Sequence, residues 1–179
     1  MMAMSQSTKP KSRKSVYIGA AVLVIVIIVA ASTYIYYSSL APKALVFTAN
    51  LVGSEEVPPN GSSATGTATV TISPDGTSLH FVVVVNNISN ATLSHIHLGQ
   101  RGQNGPVVVN FFLGPVKTGA FSGTLAQGDV TSSGFVGQLA GHPMSELVKD
   151  IQSGMCYVNV HTTAHPPGEI RGQLQPVNQ

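Results

Sequence analysis

The chain is poor in the residues on which disulfide-linked, thiolate-rich and highly charged proteins depend. Its 179 residues include one cysteine, no tryptophan and only 9% charged residues. A single cysteine excludes an internal disulfide framework and any zinc site built on several thiolates. The low charge, together with many Val, Thr, Gly and Pro residues, argues against a coiled coil, a helical bundle or a highly charged disordered chain.

The sequence also lacks the usual catalytic fingerprints. It contains no Gly-x-Ser-x-Gly elbow, no Walker loop and no Rossmann glycine pattern. The glycine-rich stretch Gly99–Gly105 leads from one predicted strand to another, without a helix that could hold a phosphate, so we interpret it as a mobile hairpin loop. These absences favour a non-catalytic protein over an enzyme.

The charges are unevenly distributed along the chain. Lys9, Lys11, Arg13 and Lys14 are four of the nine basic residues, and all seven acidic residues come after position 50. Beyond the N-terminal segment, five basic residues therefore face seven acidic ones. The domain therefore has no excess of positive charge with which to bind nucleic acid.

The segment from Val16 to Tyr37 contains no charged residue and carries tyrosines near both ends. A helix of about 20 apolar residues crosses a bilayer, and basic residues before it keep the N-terminus in the cytoplasm. We predict a cytoplasmic tail over residues 1–15, an anchor over 16–37, a linker over 38–43 and an extracytoplasmic domain over 44–176. A cleaved signal peptide ending near Ala30, Ala31 and Ser32 is the alternative. It is disfavoured because the apolar run exceeds the usual h-region of 7–15 residues.

Three glycosylation sequons agree with export of the domain. They begin at Asn60, Asn87 and Asn90. Because the pattern is short and arises by chance, we treat these asparagines as candidates only.

After the linker, the pattern changes to short runs of period two, rich in β-branched and aromatic residues. The predicted strands are Ala44–Leu51, Thr65–Ile72, Leu79–Val85, Leu93–Leu98, Val107–Phe112, Thr118–Leu125, Met155–Thr162 and Glu169–Gln175. Turn sequences such as Ser73-Pro-Asp-Gly76 separate them. One stretch differs, because Met144, Leu147, Val148 and Ile151 share a helical face that ends at Gly154. We therefore predict an all-β, antiparallel Greek-key sandwich or barrel with one short crossover helix.

Several short sequence motifs in this region resemble those of the CHRD domain family. They are Phe47-Thr-Ala-Asn-Leu-Val-Gly-Ser-Glu-Glu-Val-Pro-Pro59, Ala64-Thr-Gly-Thr-Ala68, Ser94-His-Ile-His-Leu-Gly99, Gly105-Pro-Val-Val-Val109, Tyr157-Val-Asn-Val-His-Thr162 and Pro167-Gly-Glu-Ile-Arg-Gly-Gln-Leu174. The resemblance covers about residues 44–176 and implies an extracytoplasmic, immunoglobulin-like β-domain. It does not by itself imply a ligand, since fold does not carry function.

The histidines are the strongest candidates for a site. His95 and His97 are two residues apart on a predicted strand, so they share one face. The same alternation places Asn159 and His161 on one face of another strand, and Glu169 and Arg171 on one face of a third. If these strands are neighbours, we expect the side chains to form one outward-facing polar patch.

This patch has a functional and a structural interpretation. Two imidazoles at i and i+2 with a third from another strand, His161, suit Cu²⁺ or Zn²⁺, and His165 could add a fourth ligand. Glu169, Arg171 and Asn159 would then support the ligands. The arrangement also has a weak similarity to the copper ligands of copper/zinc superoxide dismutases. In the structural interpretation, which we favour at this stage, the histidines only bond to neighbouring groups.

The sequence thus favours a membrane-anchored, extracytoplasmic CHRD-type module that provides a binding or structural surface, with an extracellular protein or surface as its partner. The alternative is a copper- or zinc-binding protein, or a dismutase-like redox enzyme, that uses the strand histidines. Glu55 and Glu56 are interpreted as residues of a solvated turn.

Overall fold

The structure is a computed structural model that describes residues 13–177. The chain divides into two compact units, with the boundary between Pro42 and Lys43. The first unit contains the helix α1 (Arg13–Leu40), and the second contains the strands and a short helix. Residues 1–12, which make up most of the predicted basic tail, lie outside the described residues.

Helix α1 is apolar over most of its length. Its segment Tyr17–Leu40 has 24 residues, the most apolar stretch within it has a mean hydropathy of 2.6, and none of the segment is buried. Hydroxyl groups along the segment donate to carbonyls one turn earlier, as Ser32 does to Ile28 at 2.7 Å and Thr33 to Val29 at 2.8 Å. These bonds satisfy polar groups that an apolar environment could not. The helix is long enough to cross a membrane, and an N-terminal signal sequence has the same properties.

The helix is longer than the sequence predicted, because it includes Ser38, Ser39 and Leu40, which we assigned to the linker. Its end lies just before Pro42. Proline disfavours the helical conformation in the residue before it, so the helix extends close to the first residue that stops it.

Within residues 13–177 the second unit has eight strands. They are β1 (Leu45–Val52), β2 (Thr65–Ile72), β3 (Ser78–Leu98), β4 (Val107–Phe112), β5 (Lys117–Thr131), β6 (Cys156–Thr162), β7 (Ile170–Gln173) and β8 (Gln175–Pro176). The order β2-β1-β7-β6-β3 closes on itself through the pairing of β2 with β3, which forms an antiparallel barrel. The predicted β class is therefore confirmed, while the Greek-key and immunoglobulin-like details stay predictions.

Strand β3 corrects the sequence analysis, which expected two separate strands over Leu79–Val85 and Leu93–Leu98. The structure has one strand that pairs with β2 and β5 along its first half and with β6 and β4 along its second. Asn87 and Asn90, which lie between the two predicted strands, adopt positive φ values of 53° inside β3. Asparagine tolerates this conformation, so the strand shifts its pairing there without ending.

The other elements differ from the predictions mainly at their ends. Strand β5 continues to Thr131 rather than Leu125, and the predicted strand Glu169–Gln175 is divided into β7 and β8. The predicted helix is present as α2 (Met144–Gln152), and Met144, Leu147 and Ile151 are its buried face. Gly154 follows it with a positive φ of 71°, as expected of a residue after a helix end.

One hydrophobic core fills the β-domain. Its largest buried members include Phe47, Leu51, Val70, Ile72, Leu79, Ile88, Ile96, Leu147, Ile151, Ile170 and Leu174. Gly172 allows β1 and β7 to approach closely at the wall that carries the polar residues, because a Cβ there would overlap the backbone carbonyl of Asn50. The core thus fixes β3, β6 and β7 as neighbours.

Candidate metal centre

The polar residues of β3, β6 and β7 form a regular grid on the face opposite the core. In the register of these strands, His97 is paired with Tyr157 and His95 with Asn159. Across the next pair, Tyr157 faces Gln173, and Asn159 faces Arg171. His161 continues the β6 column by one further step, opposite Leu93. The alternation of side chains therefore brings together residues that are more than 60 positions apart in the sequence.

His95, His97 and His161 converge on one point, and we call them the histidine cluster. One ring nitrogen from each lies within 4.8 Å of those of the other two. Nδ1 of His95 and Nε2 of His161 share a hydrogen bond of 3.3 Å, which a bound ion would replace. Two nitrogen ligands of one tetrahedral zinc ion, each about 2.0–2.1 Å from the metal, lie about 3.3 Å apart. The spacing of this pair is thus that of two ligands of one ion.

Two backbone carbonyls fix which ring nitrogen carries the proton in His97 and in His161. Nδ1 of His97 donates to the carbonyl of Gly105 at 2.8 Å, and Nδ1 of His161 donates to the carbonyl of Pro166 at 2.8 Å. A carbonyl only accepts, so in each neutral ring the proton is on Nδ1 and the lone pair is on Nε2. Metal-binding histidines commonly have this arrangement, in which the second nitrogen donates to a carbonyl or carboxylate.

His97 also has a ring nitrogen without a hydrogen-bond partner. Its Nε2 atom is buried and within hydrogen-bond distance of no partner, and the same is true of Oδ1 of Asn159, the side chain that interacts with this ring and favours its protonated form. Buried polar atoms without a partner are uncommon in folded proteins. A metal ion bound at Nε2 would satisfy the His97 ring.

Burial keeps the three imidazoles neutral. The pKa of His95 is lowered to about 4, first by burial and then by the charges of His161 and His97. Burial is also the largest cause that lowers the pKa of His97 and of His161. Neutral rings offer their lone pairs to a cation at pH 7, whereas protonated rings would repel it.

The burial itself corrects the expectation of an outward-facing patch. His95 is only 6% exposed, and His97 and His161 are each 8% exposed. Two loops cover this wall of the barrel, one over residues 99–106 and the other over residues 163–169. The sequence pattern identified the polar face but not the loops that fold over it.

The loop over residues 99–106, which we call the covering loop, is held by hydrogen bonds and is not the free hairpin loop expected from its glycines. Arg171 donates to the carbonyls of Gln100 and Gln103 at 3.1 and 2.7 Å. The Gly105 amide donates to the Tyr157 hydroxyl at 3.1 Å. The loop therefore brings the Gly105 carbonyl to His97 as part of a connected network.

An aromatic stack connects the cluster to a buried cation. The ring of Tyr157 is parallel to that of His97, with 4.8 Å between centroids, and the Arg171 guanidinium lies 3.4 Å from the Tyr157 centroid. Arg171 is 1% exposed. The alternation in the sequence had placed Tyr157 on the same strand face as Asn159 and His161, but we had assigned it no role in the site.

The residues predicted to support the ligands have different roles in the structure. Asn159 and Arg171 lie in the grid beside the cluster. Glu169 instead accepts hydrogen bonds from Ser62 at 2.7 Å and Thr162 at 2.6 Å. Its carboxylate therefore holds the loop over residues 163–169 in place.

His165, the predicted fourth ligand, is not grouped with the histidine cluster. It is half-buried and lines a separate cavity of about 170 Å³ together with Glu56, Asn60 and Gly168. Its backbone, rather than its ring, bonds to Thr162.

Glu56 is a further correction. We expected it in a solvated turn, but it is only 7% exposed, and one carboxylate oxygen has no hydrogen-bond partner. Burial raises the pKa of Glu56 to about 7, and the charge of Arg171 partly opposes this. Gly168 makes room for the carboxylate, because a Cβ there would overlap it.

The sequon asparagines are in three different environments. The Asn60 side chain donates to the carbonyls of Gly168 and Glu169, so it is occupied inside the fold. Asn90 is half-buried and accepts from the Gly119 amide. Asn87 is exposed, and it is the sequon position that the structure leaves most accessible.

The fold and the site together define a mostly β domain with a buried polar wall. The CHRD domain family model matches residues 47–174. The chain therefore belongs to the CHRD domain family, which confirms the resemblance seen in the sequence. No curated protein and no solved structure matches the chain.

Proposed function

We propose that the chain is a membrane-anchored, extracytoplasmic CHRD module that binds one transition-metal ion, copper or zinc, through His95, His97 and His161. The observation that carries this proposal is the convergence of three ring nitrogens within 4.8 Å. The carbonyls of Gly105 and Pro166 orient two of these rings with the lone pair on Nε2, which in His161 faces Nδ1 of His95 and in His97 has no partner. Imidazole nitrogen is a suitable ligand for both metals.

The structural role that we favoured from the sequence explains less of the geometry. Histidines that only satisfied the fold would use both ring nitrogens or expose one to water. Instead, the buried Nε2 of His97 has no partner. Binding, rather than catalysis, is the activity we assign, because the cluster lies beneath two loops that restrict the approach of a substrate. We do not extend the dismutase similarity to this chain.

The site is tested by metal analysis of the full chain. The protein, purified metal-free in a non-chelating detergent, is dialysed against Zn²⁺, Cu²⁺ or, anaerobically with ascorbate, Cu⁺. We expect about one ion per chain, and loss of the ion from the double variant His95→Ala/His97→Ala. His80→Ala is the matched control, because His80 pairs with Asp129 at the surface and not with the cluster. The proposal fails if none of the three ions is retained, or if the double variant retains as much.

The membrane location is proposed from α1 and the basic residues near its start. We place the N-terminus in the cytoplasm and the β-domain outside. N-terminal sequencing of the mature protein from membranes should begin at or near Met1. A start after about residue 32 would instead show that the segment is a cleaved signal peptide.

A further inference from the structure

The chemistry around the histidine cluster indicates which ion it takes, and this inference rests on the proposed metal site. We propose that the site is selective for monovalent copper, Cu⁺, over divalent ions such as Zn²⁺ and Cu²⁺. Three features of the described residues carry this selectivity: the charge of the ligands, the number of donors and the charge of the surroundings.

The ligands are neutral. Within residues 13–177, the group formed by His95, His97 and His161 includes no carboxylate and no thiolate. Cys156 is on β6 as well, but it is buried among the core residues on the opposite face. Since the ligands bring no negative charge, the loaded site would carry the full charge of its ion. A buried divalent charge costs more than a monovalent one.

The surroundings add positive charge. Arg171 is buried beside the cluster, and its guanidinium donates to neutral oxygens of Asn104, Gln100 and Gln103. The guanidinium lies 3.4 Å from the centroid of the Tyr157 ring, which is stacked on His97, so its charge is next to the cluster. This field opposes a dication about twice as strongly as a monocation.

Nearby carboxylates compensate Arg171 only in part. Glu55 and Glu56 both interact electrostatically with Arg171. Glu55, however, forms an ion pair with Arg101, and Glu56 is itself buried away from water. Glu169 is used by the hydroxyls of Ser62 and Thr162. None of these acids is grouped with the three ring nitrogens among the described residues.

The number of donors points the same way. Zinc in proteins is four-coordinate, and a zinc site with only three histidines holds a water in the fourth position. The cluster supplies three nitrogens, and His165 does not join them. Cu⁺ carries a single charge and accepts three imidazole nitrogens without a fourth ligand. A buried site of three neutral nitrogens beside a positive charge therefore favours Cu⁺.

The test is a comparison of affinities for the full chain in detergent. The affinity for Cu⁺ is measured anaerobically against bicinchoninate, and those for Zn²⁺ and Cu²⁺ against chromophoric chelators of matched strength. We expect Cu⁺ to bind at least about a hundredfold more tightly than Zn²⁺, and more tightly than Cu²⁺. Zn²⁺ or Cu²⁺ binding as tightly as Cu⁺ would overturn this inference but leave the proposed metal site intact. Failure of all three ions to bind would overturn both.

A pair of variants tests the role of Arg171. Both variants lose the planar contact of Arg171 with Tyr157. Arg171→Gln also removes the positive charge, whereas Arg171→Lys keeps it. The preference for Cu⁺ over Zn²⁺ should fall by roughly tenfold in Arg171→Gln and much less in Arg171→Lys. Equal preference in the two variants would show that the charge of Arg171 does not set the selectivity. If neither variant folds, as judged by circular dichroism, the comparison of ions in the unmodified protein still decides the inference.

Discussion

The orientation of each ring in the cluster depends on atoms that a sequence does not reveal. His97 and His161 are oriented by the backbone carbonyls of Gly105 and Pro166. Every residue has a backbone carbonyl whatever its side chain. The identities of residues 105 and 166 therefore give no sign of these hydrogen bonds. What the sequence could show was that His95 and His97 share one strand face.

Glu56 shows a second limit at the scale of single residues. The pair Glu55-Glu56 before two prolines is typical of an exposed turn, and Glu55 is indeed partly exposed and paired with Arg101. Glu56 is buried because Gly168, more than a hundred residues later, leaves space for its carboxylate. That space results from the tertiary structure and could not be predicted from local pattern.

We predict that Glu56→Gln stabilises the β-domain more at pH 8 than at pH 5. The pKa of Glu56 is raised from 4.5 to about 7 in the fold. Below pH 4.5 the carboxyl is protonated in both states and there is no penalty. As the pH rises towards and above 7, the folded state must bury a charge that the unfolded state does not. The expected gain at pH 8 is about 1–3 kcal/mol.

Thermal unfolding followed by circular dichroism at the two pH values measures this gain. Glu146→Gln is the control, since Glu146 lies on the partly exposed face of α2 near Lys149. A stability difference between Glu56→Gln and the unmodified protein that is the same at both pH values would contradict the assignment.

Among the elements, the strands were easier to predict than the loops. Alternation of apolar and polar residues located β1, β2, β4 and β6 to within about two residues, because each has one face on the core. It divided β3 wrongly, since the asparagines that interrupt the alternation there are bulges and not a turn. The covering loop has no periodicity, so nothing in its sequence indicated that it lies over the histidines.

At this scale we predict that Gly105→Ala weakens metal binding without a direct change to any ligand. A Cβ at position 105 would overlap the backbone carbonyl of Leu98. The covering loop would have to move, and the Gly105 carbonyl would leave Nδ1 of His97. Loss of such a supporting bond costs about 10–100-fold in metal affinity.

The affinity is measured by the same chelator competition. Gln103→Ala is the control in the same loop, because the Gln103 side chain is exposed and only its backbone carbonyl contacts Arg171. An affinity of Gly105→Ala equal to that of the control would show that the carbonyl does not orient His97.

At the scale of the whole domain, the site depends on the pairing of strands that are distant in the sequence. His95 comes from β3 and His161 from β6, which meet only through antiparallel pairing of distant segments. The sequence analysis could state this juxtaposition only as a condition, namely that the strands are neighbours. The core residues on the opposite faces, such as Ile96 and Val158, are what make them neighbours.

We therefore predict that the bound ion stabilises the domain as a whole. An ion that binds only the folded state, at a free concentration a thousandfold above its Kd, adds about 4 kcal/mol. This corresponds to a rise in Tm of roughly 10 °C for a domain of this size. Scanning calorimetry of the full chain with and without the ion measures it. The His95→Ala/His97→Ala variant should show no rise, and an equal rise in that variant would indicate binding elsewhere.

The covering loop over the histidine cluster has a kinetic consequence. If the covering loop must open before an ion beneath it can leave, the residence time depends on how often Arg171 and Tyr157 release that loop as well as on the strength of coordination. Exchange with competing ions would then be slow even where equilibrium favours it. Such a protein would retain its ion through brief changes in the surrounding medium.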